Sequence, residues 1–141
     1  MSAPREVVVR GTASGFAQIV EVEGLHLVAD EPAEFGGSGT GPTPYDLLLA
    51  ALGTCTSMTV GLYARKHEIP LDGVTVRLSH ARVHETDCEE CPDHTRRLDR
   101  ISLTLELAGT LNDEQRQRLR QIAARCPVHK TLTSNIEIEI R

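Results

Sequence analysis

Residues 41–58, GPTPYDLLLAALGTCTSM, carry the reading from which the rest of the fold follows. Thr43 stands where a helix cap stands, Pro44 suits the first helical position, and Asp46 occupies the acidic place of a capping box. The helix that begins there is expected to run to about His67. Leu47, Leu48, Ala51, Cys55, Met58 and Leu62 recur at steps of three and four, which sets Cys55 in mid-helix on an apolar stripe expected to be buried. Small residues along the same run (Ala50, Ala51, Gly53, Thr54, Gly61) leave room for another backbone to come close. The expectation is a central helix packed against a sheet or a partner helix.

A second cysteine occupies a comparable place in residues 122–132, IAARCPVHKTL. Asn112 and Gln115 make a capping box for a helix in which Leu119, Ile122, Ala123 and Cys126 share a face, and Pro127 stops or restarts it. Cys126 reads either as the last residue of that helix, where the dipole raises a thiol's pKa, or as the cap of a short following helix, where the dipole lowers it. A lone cysteine on a core-facing stripe is ordinarily a small buried hydrophobe. Two of them, each at a special position on its own helix, point instead to redox chemistry. The nucleophile is the thiolate, and a sulfenic acid formed on one sulfur needs a second to capture it as a disulfide. Cys55 gains little from a helix dipole and needs a cation from elsewhere, for which Arg10, Arg65 and Arg125 are candidates. His129 serves either a thiolate or the carbonyls of a helix end.

Outward from these two segments, residues 6–30 hold three apolar runs (Val7 to Val9, Ala17 to Val22, Leu25 to Ala29) separated by Gly11, Gly15 and Gly24, the pattern of an antiparallel meander. Residues 31–43, EPAEFGGSGTGPT, have the glycines of a phosphate loop without its spacing, and are expected to form a mobile loop or lid. Val74, Val76, Leu78, His80, Arg82 and His84 alternate on one face of a strand, and Ile101, Leu103, Leu105 and Leu107 do so on the next, which predicts a hairpin. Ile136, Ile138 and Ile140 alternate in the same way and predict a closing strand. His26, His67 and the charged run from Asp113 to Arg120 read as solvated surface.

Composition narrows the function classes. A chain of 141 residues is long enough for one domain, so residues 1–141 are expected to form a single α+β domain. Its core has to come from Leu, Val, Ile and Ala, because Trp is absent and aromatics are 3%. A net charge of -5 with no basic run interleaved with aromatics argues against nucleic acid as a partner. The first residues hold only a short apolar run, which predicts a cytoplasmic protein with no membrane association. Four cysteines in that compartment favour redox or metal-binding thiols over structural bridges.

HARVHETDCEECPDH, residues 80–94, is a separate constellation. His80, His84, the Cys88–Cys91 pair and His94 supply enough N and S donors for a tetrahedral Zn(II). A second dithiol, or a plain hairpin tip, fits the same residues.

The two helical segments, some 70 residues apart, resemble the OsmC and organic hydroperoxide resistance (Ohr) family, and the order of elements is similar along nearly the whole chain. The resemblance implies antiparallel sheets packed on a central helix, an intertwined homodimer, and reduction of organic or other hydroperoxides with no required cofactor. It implies Cys55 as the peroxidatic residue, Cys126 as the resolving one, and a lipoyl-type or small-thiol dithiol as reductant. In the well-studied members a glutamate follows the proline of the central helix and helps hold an arginine beside the reactive cysteine; here Tyr45 and Asp46 follow Pro44. That departure keeps a second expectation open, a redox-sensing or metal-binding protein that uses the Cys88/Cys91 hairpin without turnover.

Overall fold

Short apolar runs divided by glycine give the amino-terminal meander, β1 (Val8–Gly11), β2 (Gln18–Val22) and β3 (Leu25–Ala29), antiparallel in the order β1-β2-β3. Val22 pairs with Leu25, so the connection is the two residues Glu23 and Gly24, with φ of 47° and 81°. Positive φ at both central positions is what a tight hairpin turn of matching twist requires, and glycine takes it without strain. The computed structural model describes residues 3–84 and 97–141, and the chain divides into two compact units, Met1–Leu48 and Leu49–Arg141.

Residues 31–43, expected to be a mobile lid, are tied down. Asp30 is buried, and its carboxylate accepts from the Glu31, Ser38 and Thr40 amides and from the Thr40 hydroxyl at 2.7–3.2 Å. Gly41 lies against the Val28 carbonyl, where a Cβ has no room. The loop closes on β3 through the Asp30 amide, which donates to the Pro42 carbonyl at 3.0 Å. Local hydrogen bonds, invisible to a count of glycines, order the segment.

Helix α1 (Pro44–Lys66) starts as its sequence predicts: the Asp46 amide donates to Thr43 Oγ1 at 3.2 Å and the Thr43 amide to Asp46 Oδ2 at 3.0 Å. Its buried face is not the expected stripe. Leu52, Gly53, Thr56, Val60 and Ala64 are buried, whereas Met58 is 71% exposed and Leu62 46%. The helix is apolar almost all round, so periodicity gave its shape without its phase. By length and composition it is apolar enough to cross a membrane, as the core helix of a soluble domain also can be. Gly53 leaves room for Leu78, whose Cδ1 lies 2.7 Å from where a Cβ would stand.

The long hairpin of β4 (Leu71–His84) and β5 (Arg97–Gly109) pairs antiparallel, with Leu78 opposite Leu103 and His80 opposite Ile101. Val74, Val76, Leu78 and His80 on one strand, and Ile101, Leu103, Leu105 and Leu107 on the other, are the covered positions, as alternation predicts. Helix α2 (Asp113–Ala123) opens with the complete Asn112/Gln115 capping box, and α3 (Pro127–Leu132) follows after a break. Val60, Ala64 and Leu119 form the buried cluster, with Tyr63, Ile69, Leu71, Val74, Leu107, Leu111 and Ala123 packed around it. The expected closing strand is absent: residues 135–141 form no strand, and Ile136, Ile138 and Ile140 are 54%, 81% and 94% exposed. Alternation makes a strand only where an edge is available to pair with it.

Candidate active site

Cys55 sits on the flank of α1, half-buried beside the buried Thr56. Cys126 is the residue before α3, with Pro127 at the first helical position, and it is fully buried. The sequence left two placements for Cys126; the structure makes it a helix N-cap, the arrangement that favours a thiolate. The two side chains lie close enough to act on each other's ionisation. A pair of thiols from distant segments is thus brought together.

Their environments push them apart. Burial, the largest influence on Cys55, raises its thiol pKa, contact with Cys126 raises it further, and the Val128 amide and Thr59 hydroxyl only partly offset this. Burial also penalises an ionised Cys126, yet hydrogen bonds from Cys55, the His129 amide, the Thr56 hydroxyl and the Val128 amide outweigh it and bring this thiol below its ordinary value. No amide closes a regular cap bond onto the sulfur; Val128 and His129 act on it as oriented N–H dipoles. The surroundings thus disfavour ionisation at Cys55 and favour it at Cys126.

Arg10 pairs with Glu21 at 2.9 Å, and Arg65 and Arg125 are exposed. Asp46, which stands near the place of the family's glutamate, has its carboxylate engaged by the Thr43 amide. Among the described residues, the groups that act most on the two sulfurs are hydroxyls, backbone amides and the other thiol. Thr56 and Thr59 were missed in the sequence, where the only signal is their position one and four residues after Cys55.

The family model described as OsmC-like protein matches residues 37–141, more than half of the chain. The chain belongs to the OsmC-like family. An OsmC-like protein from Mycoplasma pneumoniae superposes with a TM-score of 0.73 at 18% identity, over 94% of this chain and 89% of that one. An organic hydroperoxide resistance protein OsmC from Legionella pneumophila gives 0.68 at 20%, over 94% and 91%. The organic hydroperoxide resistance protein OhrB of Bacillus subtilis gives 0.64 at 19%, over 94% and 93%. At these identities the likeness is one of fold. No match was found among curated proteins.

In this OsmC-like chain a cavity of about 250 Å³ is lined by Leu52, Asp99, Ile101, Leu103, His129, Leu132 and Thr133. Leu52 is one helical turn before Thr56, and His129 is the residue whose amide faces Cys126. The floor is apolar. Its polar rim is His129 with Asp99, whose Oδ1 is 2.8 Å from His80 Nε2 and 3.6 Å from Arg82 Nε.

The proposed metal ligands are only partly in view. Cys88, Cys91 and His94 lie outside the described residues, His84 ends β4 opposite Arg97, and His80 is engaged by Asp99. Among the described residues no group of three or more His, Cys, Asp or Glu side chains is placed to hold a metal.

Proposed function

We propose that this protein reduces organic or other hydroperoxides through the Cys55/Cys126 pair, in keeping with the hydroperoxide resistance named for its structural relatives. What supports the reading is that a half-buried and a buried cysteine from distant segments act on each other and have their acidities driven in opposite directions. Cys55 is the more accessible sulfur, so the peroxide meets it first. It passes its proton to Cys126 and attacks the terminal peroxide oxygen. The O–O bond breaks, the alkoxide leaves and is protonated to the alcohol, and Cys55 becomes a sulfenic acid. Cys126 then displaces water from it, forming the disulfide. A dithiol of lipoyl type or a small thiol returns both sulfurs to the reduced state, and no bound cofactor is required. The cavity lined by Leu52, Ile101, Leu103 and Leu132 suits an apolar substrate body.

Two further parts of the reading concern the assembly and the compartment. The exposed Met58 and Leu62 of α1, the exposed Ile19, Leu25 and Leu27 of the meander, and the isoleucines of residues 135–141 favour a homodimer that covers them. Light scattering that finds a folded species of 15.4 kDa at micromolar concentration overturns it. Reduced thiols are in keeping with a cytoplasmic protein, with neither membrane nor nucleic acid as partner.

Peroxide consumed per protein, with a panel of dithiol reductants, is the deciding measurement. Many equivalents are expected; consumption that stops at one makes the protein a redox sensor. Zinc at Cys88, Cys91, His80 and His84 is a separable proposal, in which His80 would ligate through Nδ1 while Nε2 keeps its bond to Asp99. Stoichiometric zinc that disappears from a Cys88→Ser, Cys91→Ser protein is expected under it, and metal-free parent protein overturns it.

A further inference from the structure

Residues 101–109 of β5, ISLTLELAG, alternate apolar and small polar side chains with Glu106 as their one charge, and Glu106 is tied to Arg77 of β4 at 3.0 Å. A run of this kind with an unpaired side is a template for a second strand like itself. β4 lies along one side of β5, and among the described residues no strand lies along the other. Helix α2 packs against β5, with Leu119 in one cluster with Leu107. From the same helix the Arg116 guanidinium donates to the Leu107 carbonyl at 3.1 Å, and the Arg120 guanidinium to the Leu105 carbonyl at 3.4 Å. Spacing accounts for the match. Four residues of helix rise about 6 Å and two residues of strand about 6.8 Å, so side chains one helical turn apart fall in step with alternate carbonyls of a strand. Alternate carbonyls point to the same side of a strand, and each residue's amide points with its carbonyl.

We propose that Arg116 and Arg120 are edge guards, whose guanidiniums cover the main chain of β5 at Leu105 and Leu107 and keep a second copy of this strand from adding to it. A carbonyl turned towards β4 is held by an amide of that strand. These two take guanidinium protons instead, which puts them on the side away from β4. An incoming strand has to displace both arginines and give up two charge-assisted bonds before it gains any of its own. The guarded stretch is also the part of β5 that has least charge of its own to keep a neighbour away. The role concerns assembly alone. It is independent of the thiol chemistry and of the homodimer, since it limits growth beyond whatever species the intact protein adopts.

The test compares two double variants of the full chain. Arg116→Ala with Arg120→Ala removes both guards, and Arg65→Ala with Arg125→Ala removes the same two charges from exposed positions elsewhere. Light scattering over a concentration series is expected to show the unguarded protein growing beyond the parent's species at about tenfold lower concentration, while the charge control follows the parent. Hydrogen exchange, read by mass spectrometry on peptides covering Leu105 and Leu107, is expected to show these amides gaining protection in the assembled variant. An unguarded protein that keeps the parent's size across the series overturns the proposal. Equal growth in the charge control overturns it as well, because net charge then accounts for the effect. Growth without new protection at those amides does the same, since the copies then meet elsewhere. Should the double variant lose the parent's circular dichroism, Arg120→Ala alone takes its place under the same criteria.

Discussion

Asp30 and Cys126 are both buried ionisable groups surrounded by backbone amides and a threonine hydroxyl, yet one is a fastener and the other belongs to the proposed reactive pair. Asp30 draws its donors from residues 31, 38 and 40, within one loop, and all of them point at a single carboxylate. Its acidity is strengthened, by the Thr40 hydroxyl above all, with the three amides adding to it. Cys126 receives the same kinds of donor, but one of its partners is itself a thiol that can give up a proton. A carboxylate with fixed donors has one state. A thiol beside another thiol has two, with the proton on one sulfur or the other, and the difference between a fastener and the proposed chemical site lies there.

The largest effect expected on that comparison is at the reactive end. Cys55→Ser should abolish peroxide consumption, while Cys126→Ser should permit one oxidation that stops at sulfenic acid or runs to higher oxides. Mass spectrometry of the oxidised proteins checks both. If Cys55→Ser keeps full activity and a Cys88 or Cys91 substitution removes it, the reactive pair has been assigned to the wrong thiols.

At the fastening end, Gly41→Ala pushes a methyl group into the Val28 carbonyl, and a cost of about 1–3 kcal/mol is expected from the shift that relieves it. Chemical denaturation of the variant measures it. Gly15→Ala, where nothing lies within 4 Å, is the control and should change little.

A subtler separation of the two sites comes from pH. Asp30 has its folded pKa depressed, so its contribution is present above the ordinary carboxylate value of roughly 3.9 and is lost as pH falls through the lower folded value. Hydrogen-exchange protection of the Ser38 and Thr40 amides should therefore hold through the neutral range and fail only in acid. Asp30→Asn should show weaker protection with no such acid step. Thiolate formation at Cys126 should move in the alkaline direction from there, leaving those two amides untouched. A loop that loosens together with thiol titration would mean that the two sites are coupled rather than alike.

The smallest effect expected is on the surface. Arg77→Ala breaks a 3.0 Å pair with Glu106 in which both side chains are more than half exposed, and should alter stability by at most about 0.5 kcal/mol.

What the sequence determined by itself was whatever depends on neighbours along the chain. The Thr43/Asp46 and Asn112/Gln115 capping boxes join residues three apart, and both formed as read. Period-two alternation gave the β4–β5 hairpin and its covered face, because alternate side chains of a strand must point to opposite sides. The two cysteine segments were legible enough to name the family that the family model shows.

Tertiary structure decided what depends on residues distant along the chain. Because α1 is apolar on nearly every side, only its neighbours could choose Leu52, Thr56, Val60 and Ala64 over Met58 and Leu62 as the buried set. Ile136, Ile138 and Ile140 have the alternation of a strand, but hydrogen bonds to an adjacent edge make one, and a sequence contains no edge. Asp30 gave no warning of its role, since its worth comes from the direction of amides eight and ten residues on. The opposed acidities of Cys55 and Cys126 were least legible of all, because burial raises both thiols and only the three-dimensional placing of Cys55, His129, Thr56 and Val128 around Cys126 brings that one back down.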